Sequence, residues 1–588
     1  MGVTPPPERK TILPTVGGKR LLRWQLVVLG LGLLMIAGAG LFMLLSTPAG
    51  ERAPTVQPIG LVETQVFSEA IVGEPRLVNP LLATSQADRD LVALIFSGLT
   101  RVDDYGQPIP DLARSWEVSA DGLTYTFHLR DDVTWHDGQP FTAEDVAFTM
   151  SLLRHPDFPG PADLAAFWRT VETYAVDKTT VRFVLTQPLA AFPEYAGIGV
   201  LPVHLLAEVP PADLAEDSFN LSPVGTGRMR WVSSETQGDV MTVHLEPYAD
   251  FYDPQRAVQL DGVDLRFYAR ADAAFHALAR QDPPTLAYGG LTSAQLAAAL
   301  ASPDLNIYSA RLPAYAAILF NQQAAERLPF FQQEEVRQAL TAALDRQRLI
   351  TEILPRQALP AITPLFPGTW AYNDAVQPIP YDPGLAAQLL DEAGWLLEGS
   401  TRQREGTPLA FTLLVSNDPT DRAIGEAVVA QWRALGVEAT LRALAPEVLI
   451  ERLQTSTDQG RDFDAALVML GQGRLADPDP YPFWHETQIA EGQNYSGLAD
   501  RDISEALEIA RKDPNGVRRA ELYRDFQRWF VERAAAILLY NPVYHYAVSC
   551  QVQGVGLMIF VDPSDRFRDL HEWRILAPSE TGAGCLNS

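Results

Sequence analysis

At 588 residues the chain is several times longer than one hydrophobic core needs, so about two or three packed domains are expected. Its 46 Lys+Arg against 73 Asp+Glu give a formal net charge of −27, a surface that repels phosphate backbones and anionic headgroups and excludes nucleic acid as a partner. The acidic excess is spread along the chain, and 47% hydrophobic with 20% charged residues is ordinary for a globular body.

Lys19, Arg20 and Arg23 close a basic N-terminus (1–25) and precede an uncharged run from Leu26 to Leu45. That run is about the 20 residues a helix needs to cross a bilayer. Basic residues before it and none just after place the start of the chain in the cytoplasm and the rest outside. A transmembrane helix or uncleaved signal anchor is therefore expected over 26–45. The alternative is a cleaved signal, with Thr47-Pro48-Ala49 as its site. No cysteine follows the run, so a lipid-anchored start is excluded, and with one span the chain is not itself a channel. Residues 46–60 are Pro-rich and polar, as suits a tether.

The body mixes strands and helices. Asp121-Gly122 signals a turn, and Leu123 to Leu129 alternates, with Leu123, Tyr125, Phe127 and Leu129 on one face. Thr142-Ala-Glu-Asp145 predicts a capped helix start before Val146 to Met150. Val171 to Val176 and Val181 to Leu185 bracket Asp177-Lys178-Thr179 as a hairpin. Asp382 caps a predicted helix with Pro383 at its first position and Gly394 at its stop. A helix over Thr420 to Leu435 ends at Gly436, and Val437 to Leu441 reads as a strand. Helix followed by strand, repeated, implies α/β lobes. The two cysteines, Cys550 and Cys585, either pair outside the cytoplasm and pin the tail or stay free.

Catalytic chemistry is not legible. His136-Asp137 has no second histidine at helical spacing, and His485-Glu486 lacks the partner histidine of a zinc hydrolase helix. Ser496 has no glycine two residues earlier, so there is no nucleophile elbow. Gly17-Gly18-Lys19 is too short for a phosphate loop. No enzyme, cofactor or metal site is expected.

Several stretches resemble, in order, the family 5 extracellular solute-binding proteins, which include oligopeptide-, dipeptide- and nickel-binding members. They are Glu74 to Pro80, Leu94 to Thr100, Pro110 to Trp116, Asp121 to Arg130, Trp135-His-Asp-Gly138 and Thr142 to Val146. Val224-Gly-Thr-Gly227, Val336 to Leu340 with Leu344-Asp-Arg346, Tyr381 to Trp395, Phe463-Asp-Ala465, Asp477-Pro478 and Asn494-Tyr-Ser496 follow. The resemblance runs from about Leu61 to Leu570 and implies a bilobed periplasmic-binding-protein-like α/β fold with an extra domain in the N-terminal half. Carried over, it places lobe I at 61–96, 224–311 and 541–588, the last including the C-terminal tail, the extra domain at 97–223, and lobe II at 312–540. The implied function is an extracytoplasmic solute-binding subunit of an ABC importer. Its partners would be a peptide or other small solute, ABC permease and ATPase subunits, and the membrane through the N-terminal helix, with a monomeric body at the periplasmic or cell surface. The alternative is a membrane-anchored receptor that uses the same fold without transport.

Peptide binders of this family place an aspartate shortly before the Asp-Pro that Asp477-Pro478 matches, where it pairs with the peptide amino group. Here that position is Arg474, whose planar fork of donors favours an anionic or strongly hydrogen-bonding ligand unless it is a solvated loop residue. The position of a carboxylate-binding arginine in some dipeptide members is Val415, followed by Asn417-Asp418. The resemblance offers Ser85, Gln86, Trp370, Tyr372, Asn417, Arg474 and Asp477 as solute contacts. Asp477 and Asn494 suit a structural role in their turns as well.

Overall fold

The computed structural model describes residues 65–576, except 281–283, 458–459, 472, 474, 491 and 559. The predicted basic N-terminus, membrane span and tether lie outside the described residues, as do Arg474 and Cys585. Among the described residues no helix is long and apolar enough to cross a membrane.

The locally encoded elements form where the turn and cap residues put them. Gly122, at φ +70°, makes the turn into strand Thr124–Leu129, whose Tyr125, Phe127 and Leu129 are buried. That strand pairs with Ala113–Val118 on one side and with Thr180–Leu185 on the other; Val171–Asp177 completes this four-stranded antiparallel sheet. Thr142 caps helix Ala143–Arg154 as a full capping box, with Asp145 returning the bond to the Thr142 amide at 2.8 Å. Asp382 accepts from the Leu385 amide at 2.9 Å to start helix Pro383–Glu392, and Gly394 stops it at φ +83°. Helix Pro419–Ala434 begins one residue earlier than its apolar pattern suggests, because Asp418 is the cap and Pro419 the first helical residue.

A twelve-stranded mixed sheet carries the rest. Its first half orders Met229–Gln237, Val240–Pro247, Gly262–Tyr268, Val66–Val72 and Ala287–Gly289. Its second half orders Ala314–Phe320, Ala465–Gly471, Ala410–Ser416 and Glu438–Leu444. One long strand, Ile537–Ser549, belongs to both. Its start pairs with Ala314–Phe320 and its end, from Val543, with Leu305–Arg311. Pro542 stands where the partner changes, so the residue lacking an amide proton falls at the break in the ladder. Leu312 donates to the Pro542 carbonyl at 2.9 Å, and Asn541 ties the crossing through bonds from Arg311 (3.1 Å) and to the Ala314 carbonyl (2.8 Å). The described residues thus form a bilobed α/β molecule whose halves are joined by the long strand and by the short connection at Leu312.

In the second half the period of two decides which core each side chain joins. Ala316, Ile318, Phe320, Leu413, Leu467 and Leu539 pack under helices Glu334–Ala342, Pro383–Glu392 and Pro419–Ala434. Their neighbours Tyr315, Ala317, Leu319, Leu414, Ala466 and Leu538 pack on the other face against helices Arg501–Lys512 and Gly516–Glu532.

The C-terminal segment returns to the first half through buried charge. Arg566, 2% exposed, donates to Glu69 at 2.7 Å and to Asp90 at 2.8 and 2.5 Å. Burial first, and Asp90 second, push Glu69 up to about 7, while Arg566 and the Tyr546 hydroxyl pull it down. Cys550, beyond the end of the long strand, is disulfide-bonded, and the only other cysteine in the sequence is Cys585.

Candidate functional site

Two short motifs fold against each other to set up the site. His136 takes its Nδ1 bond from the Gly225 amide (3.2 Å), and its Nε2 lies 3.0 Å from the Gly227 carbonyl. Burial holds this imidazole down at about 4, so it is neutral and bonds as a fixed structural ring. Gly225 and Gly227 lie directly on helix Gln86–Ile95; a Cβ at Gly225 would sit 1.9 Å from the Ile95 carbonyl oxygen. Only glycine admits this approach, and it delivers the next side chain, Arg228, into a cavity.

That cavity holds about 1100 Å³. Phe96, Phe167, Trp168, Tyr195, Phe251 and Phe567 supply apolar wall, with Phe167 and Tyr195 stacked at 4.1 Å. Polar groups converge from several segments: Arg101, Asp111, Glu194, Arg228, Arg256, Asp562, Asp569 and His571. Gly473 and Leu475, on the loop after strand Ala465–Gly471, bring the second half of the sheet to its rim. A few fixed polar groups on aromatic walls, with both halves contributing, is the construction of a solute pocket. A smaller groove of about 430 Å³, edged by Arg327, Arg442 and Arg452, is lined by the second half.

The halves touch at one side of the cavity. Glu194 accepts from the amides of Ala476 and Asp477, the latter at 2.7 Å. Ala190 donates to the Arg511 carbonyl at 2.8 Å. Asp477 is bound by Arg519 at 2.8 and 2.9 Å, and that guanidinium lies 5.1 Å from the Trp370 ring and 5.6 Å from Tyr523. Burial, then the charge of Asp477, push Glu194 up to about 8, against the pull of the two amides and Arg519. A carboxyl raised in this way favours the contact when protonated. Its contribution is complete below the ordinary value of 4.5 and is lost as pH rises through about 8. Solute affinity is therefore expected to fall between pH 5 and pH 8.5 in the native protein and to stay flat in Glu194→Gln. A native affinity that does not change over that range would discard this account.

The residues singled out from sequence are scattered around this geometry. Ser85 caps helix Gln86–Ile95 (3.1 Å from the Asp88 amide), and Gln86 donates to Asp90, Asp562 and Ser564 at 2.8, 3.1 and 2.9 Å. Trp370 and Tyr372 are partly buried on the core of the second half. Asn417 is exposed at the end of strand Ala410–Ser416, its amide bonded to the Leu444 carbonyl at 2.6 Å. Asp477 is buried against Arg519, at 6% exposure. Arg474 lies outside the described residues, between Gly473 and Leu475, which line the cavity. Asn494 is fully buried and closes its own turn, bonding the carbonyls of His485 (3.1 Å) and Leu498 (2.9 Å). Sequence reading passes over Arg101, Glu194, Arg228 and His571. For Arg101 and Arg228 a signal exists, since each directly follows a stretch that carries the resemblance.

Residues 107–491, more than half of the chain, match the model of the bacterial extracellular solute-binding proteins, family 5, middle region. The chain belongs to this family of extracellular solute-binding proteins. It is 27% identical over 498 residues to the oligopeptide-binding protein AppA of Bacillus subtilis, covering 82% of this chain and 87% of that one. It is 27% identical over 531 residues to the di/tripeptide-binding protein 1 of Pseudomonas aeruginosa, covering 85% and 95%. The structure of the Bacillus subtilis AppA in complex with a nonapeptide superposes with a TM-score of 0.62 at 25% identity, covering 87% of this chain and all (100%) of that chain.

Proposed function

We propose that this protein is the solute-binding subunit of an ABC importer, capturing a peptide or peptide-like solute between its two lobes and delivering it to a membrane permease and its ATPase. The observation that carries this reading is the cavity of about 1100 Å³ lined by both halves of a sheet that, among the described residues, are joined by the long strand and the Leu312 connection. Such a joint lets the halves approach around a solute, and closure is the state a transporter reads. The peptide-binding relatives support the solute class.

The same joint supports a division into lobe I at 61–96, 224–311 and 541–588, an extra domain at 97–223 and lobe II at 312–540, with the hinge at the Leu312–Pro542 crossing. Among the sequence candidates Arg474 is our first choice as a contact, because Gly473 and Leu475, which flank it in sequence, line the cavity; Trp370, whose ring lies 5.1 Å from the Arg519 guanidinium, comes second. The uncharged run 26–45, with basic residues before it and none just after, supports a single-pass anchor that leaves the body outside the cytoplasm.

The test is a thermal-shift panel on the full-length chain after unfolding and refolding, with neutral and acidic peptides, oligosaccharides, opines and nickel chelates. A peptide at 100 times its dissociation constant adds about 2.7 kcal/mol to stability. A shift with saccharides or chelates and none with peptides would replace the peptide reading. The mass of the same protein from membranes tests the anchor, since a product cut after Ala49 would remove it.

A further inference from the structure

At one end of the cavity a buried cation, Arg228, has no carboxylate in contact with it among the described residues. Arg228 is 8% exposed, and among the described residues its guanidinium makes one hydrogen bond, to the Arg568 carbonyl at 2.8 Å. No carboxylate among the described residues comes within 4.0 Å of its guanidinium. The two that face it are otherwise placed: Asp111 is held by Arg256 at 2.9 Å and by the Tyr252 hydroxyl at 2.7 Å, and Asp569 stands off. Arg101, on the same wall, has a buried Nε with no partner, and so has Nδ1 of His571. Burial, followed by the like charge of Arg256, holds Arg228 down at about 9, so it is still a cation at neutral pH. A guanidinium has five N–H donors, and a buried one with a single acceptor and no carboxylate bonded to it is costly to keep. A ligand oxyanion would supply both.

We propose that this end of the cavity is an anion subsite, built on Arg228 with Arg101 and His571 beside it, and that it selects an acidic peptide by binding its side-chain carboxylate. The proposal rests on the reading of the cavity as the peptide site. It is separate from Gly473 and Leu475, which the other half brings to the rim.

Calorimetric titration of the full-length chain with Ala-Glu-Ala and Ala-Gln-Ala, each with a free or an amidated C-terminus, tests it. Removing the recognised carboxylate is expected to weaken binding by about tenfold or more, the usual worth of one charge-assisted hydrogen bond. Loss on Glu-to-Gln exchange assigns the side-chain carboxylate, whereas loss on amidation alone would overturn the selection of acidic peptides. The difference is expected to vanish in Arg228→Met, to shrink in Arg101→Gln and to survive in part in Arg228→Lys. The melting temperature of ligand-free Arg228→Met should not fall, because the substitution removes a buried charge with no carboxylate bonded to it. Equal binding of all four peptides, or a preference that survives Arg228→Met, would overturn the subsite and leave peptide capture standing. No binding by any of the four would overturn both.

Discussion

Arg566→Met is expected to destabilise the folded protein by about 3–5 kcal/mol, the usual consequence of breaking a buried ion pair from one side. The side chain is enclosed: Arg566 is 2% exposed, Glu69 1% and Asp90 0%. Removing the cation leaves two carboxylates buried side by side. Ser564 and Gln86, which also bond Asp90, cannot replace a full positive charge. The loss falls on the contact between the C-terminal segment, the first strand and helix Gln86–Ile95, so lobe I should open first. Denaturant unfolding followed by tryptophan fluorescence reads it through Trp573, whose ring packs on Phe67 at 4.8 Å. The triple variant with Glu69→Gln and Asp90→Asn should recover much of the loss. A single variant within about 1 kcal/mol of the native protein would mean the network contributes little.

Asp477→Ala is expected to cost a similar amount, about 3–5 kcal/mol, by stranding Arg519 in the core of lobe II. Arg519 is 6% exposed and its other bonds, to the Ala510 carbonyl (2.7 Å) and the Tyr523 hydroxyl (3.3 Å), carry no charge. This substitution also has a functional reading that Arg566→Met lacks. Asp477 anchors the loop that brings Gly473 and Leu475 to the cavity, and its amide meets Glu194 from the facing half. Solute binding must then reorder the loop, and affinity should drop by about tenfold or more. Asp477→Ala with Arg519→Met should restore stability without restoring affinity. If affinity in the single variant matches the native protein, the ion pair has only a structural role.

The elements legible in the sequence are those whose instructions lie within a few residues of one another. The Thr142–Asp145 capping box, the Asp382-Pro383 helix start and the stops at Gly394 and Gly436 are local hydrogen-bond and φ requirements. The alternation of Leu123 to Leu129 reports a half-buried strand for the same reason. The motif order from Glu74 to Ser496 is legible too, and with it the bilobed α/β class and the solute-binding family.

What the sequence could not assign depends on distance in space. Gln86, a solute candidate by motif position, bonds Asp562 and Ser564, which are 476 and 478 residues away. Asp477 is a turn residue in sequence and half of a buried ion pair in the fold. Arg228 reads as one of 46 cations in an acidic chain until the chain path surrounds it with wall and bonds no carboxylate to it among the described residues. By itself the sequence determined the local elements, the fold class and the family, because caps, turns and periodicity act between neighbours. Only the tertiary structure decided which polar groups face the cavity and which are spent on holding the lobes together, because desolvation and pairing are set by what the fold brings within a few ångströms.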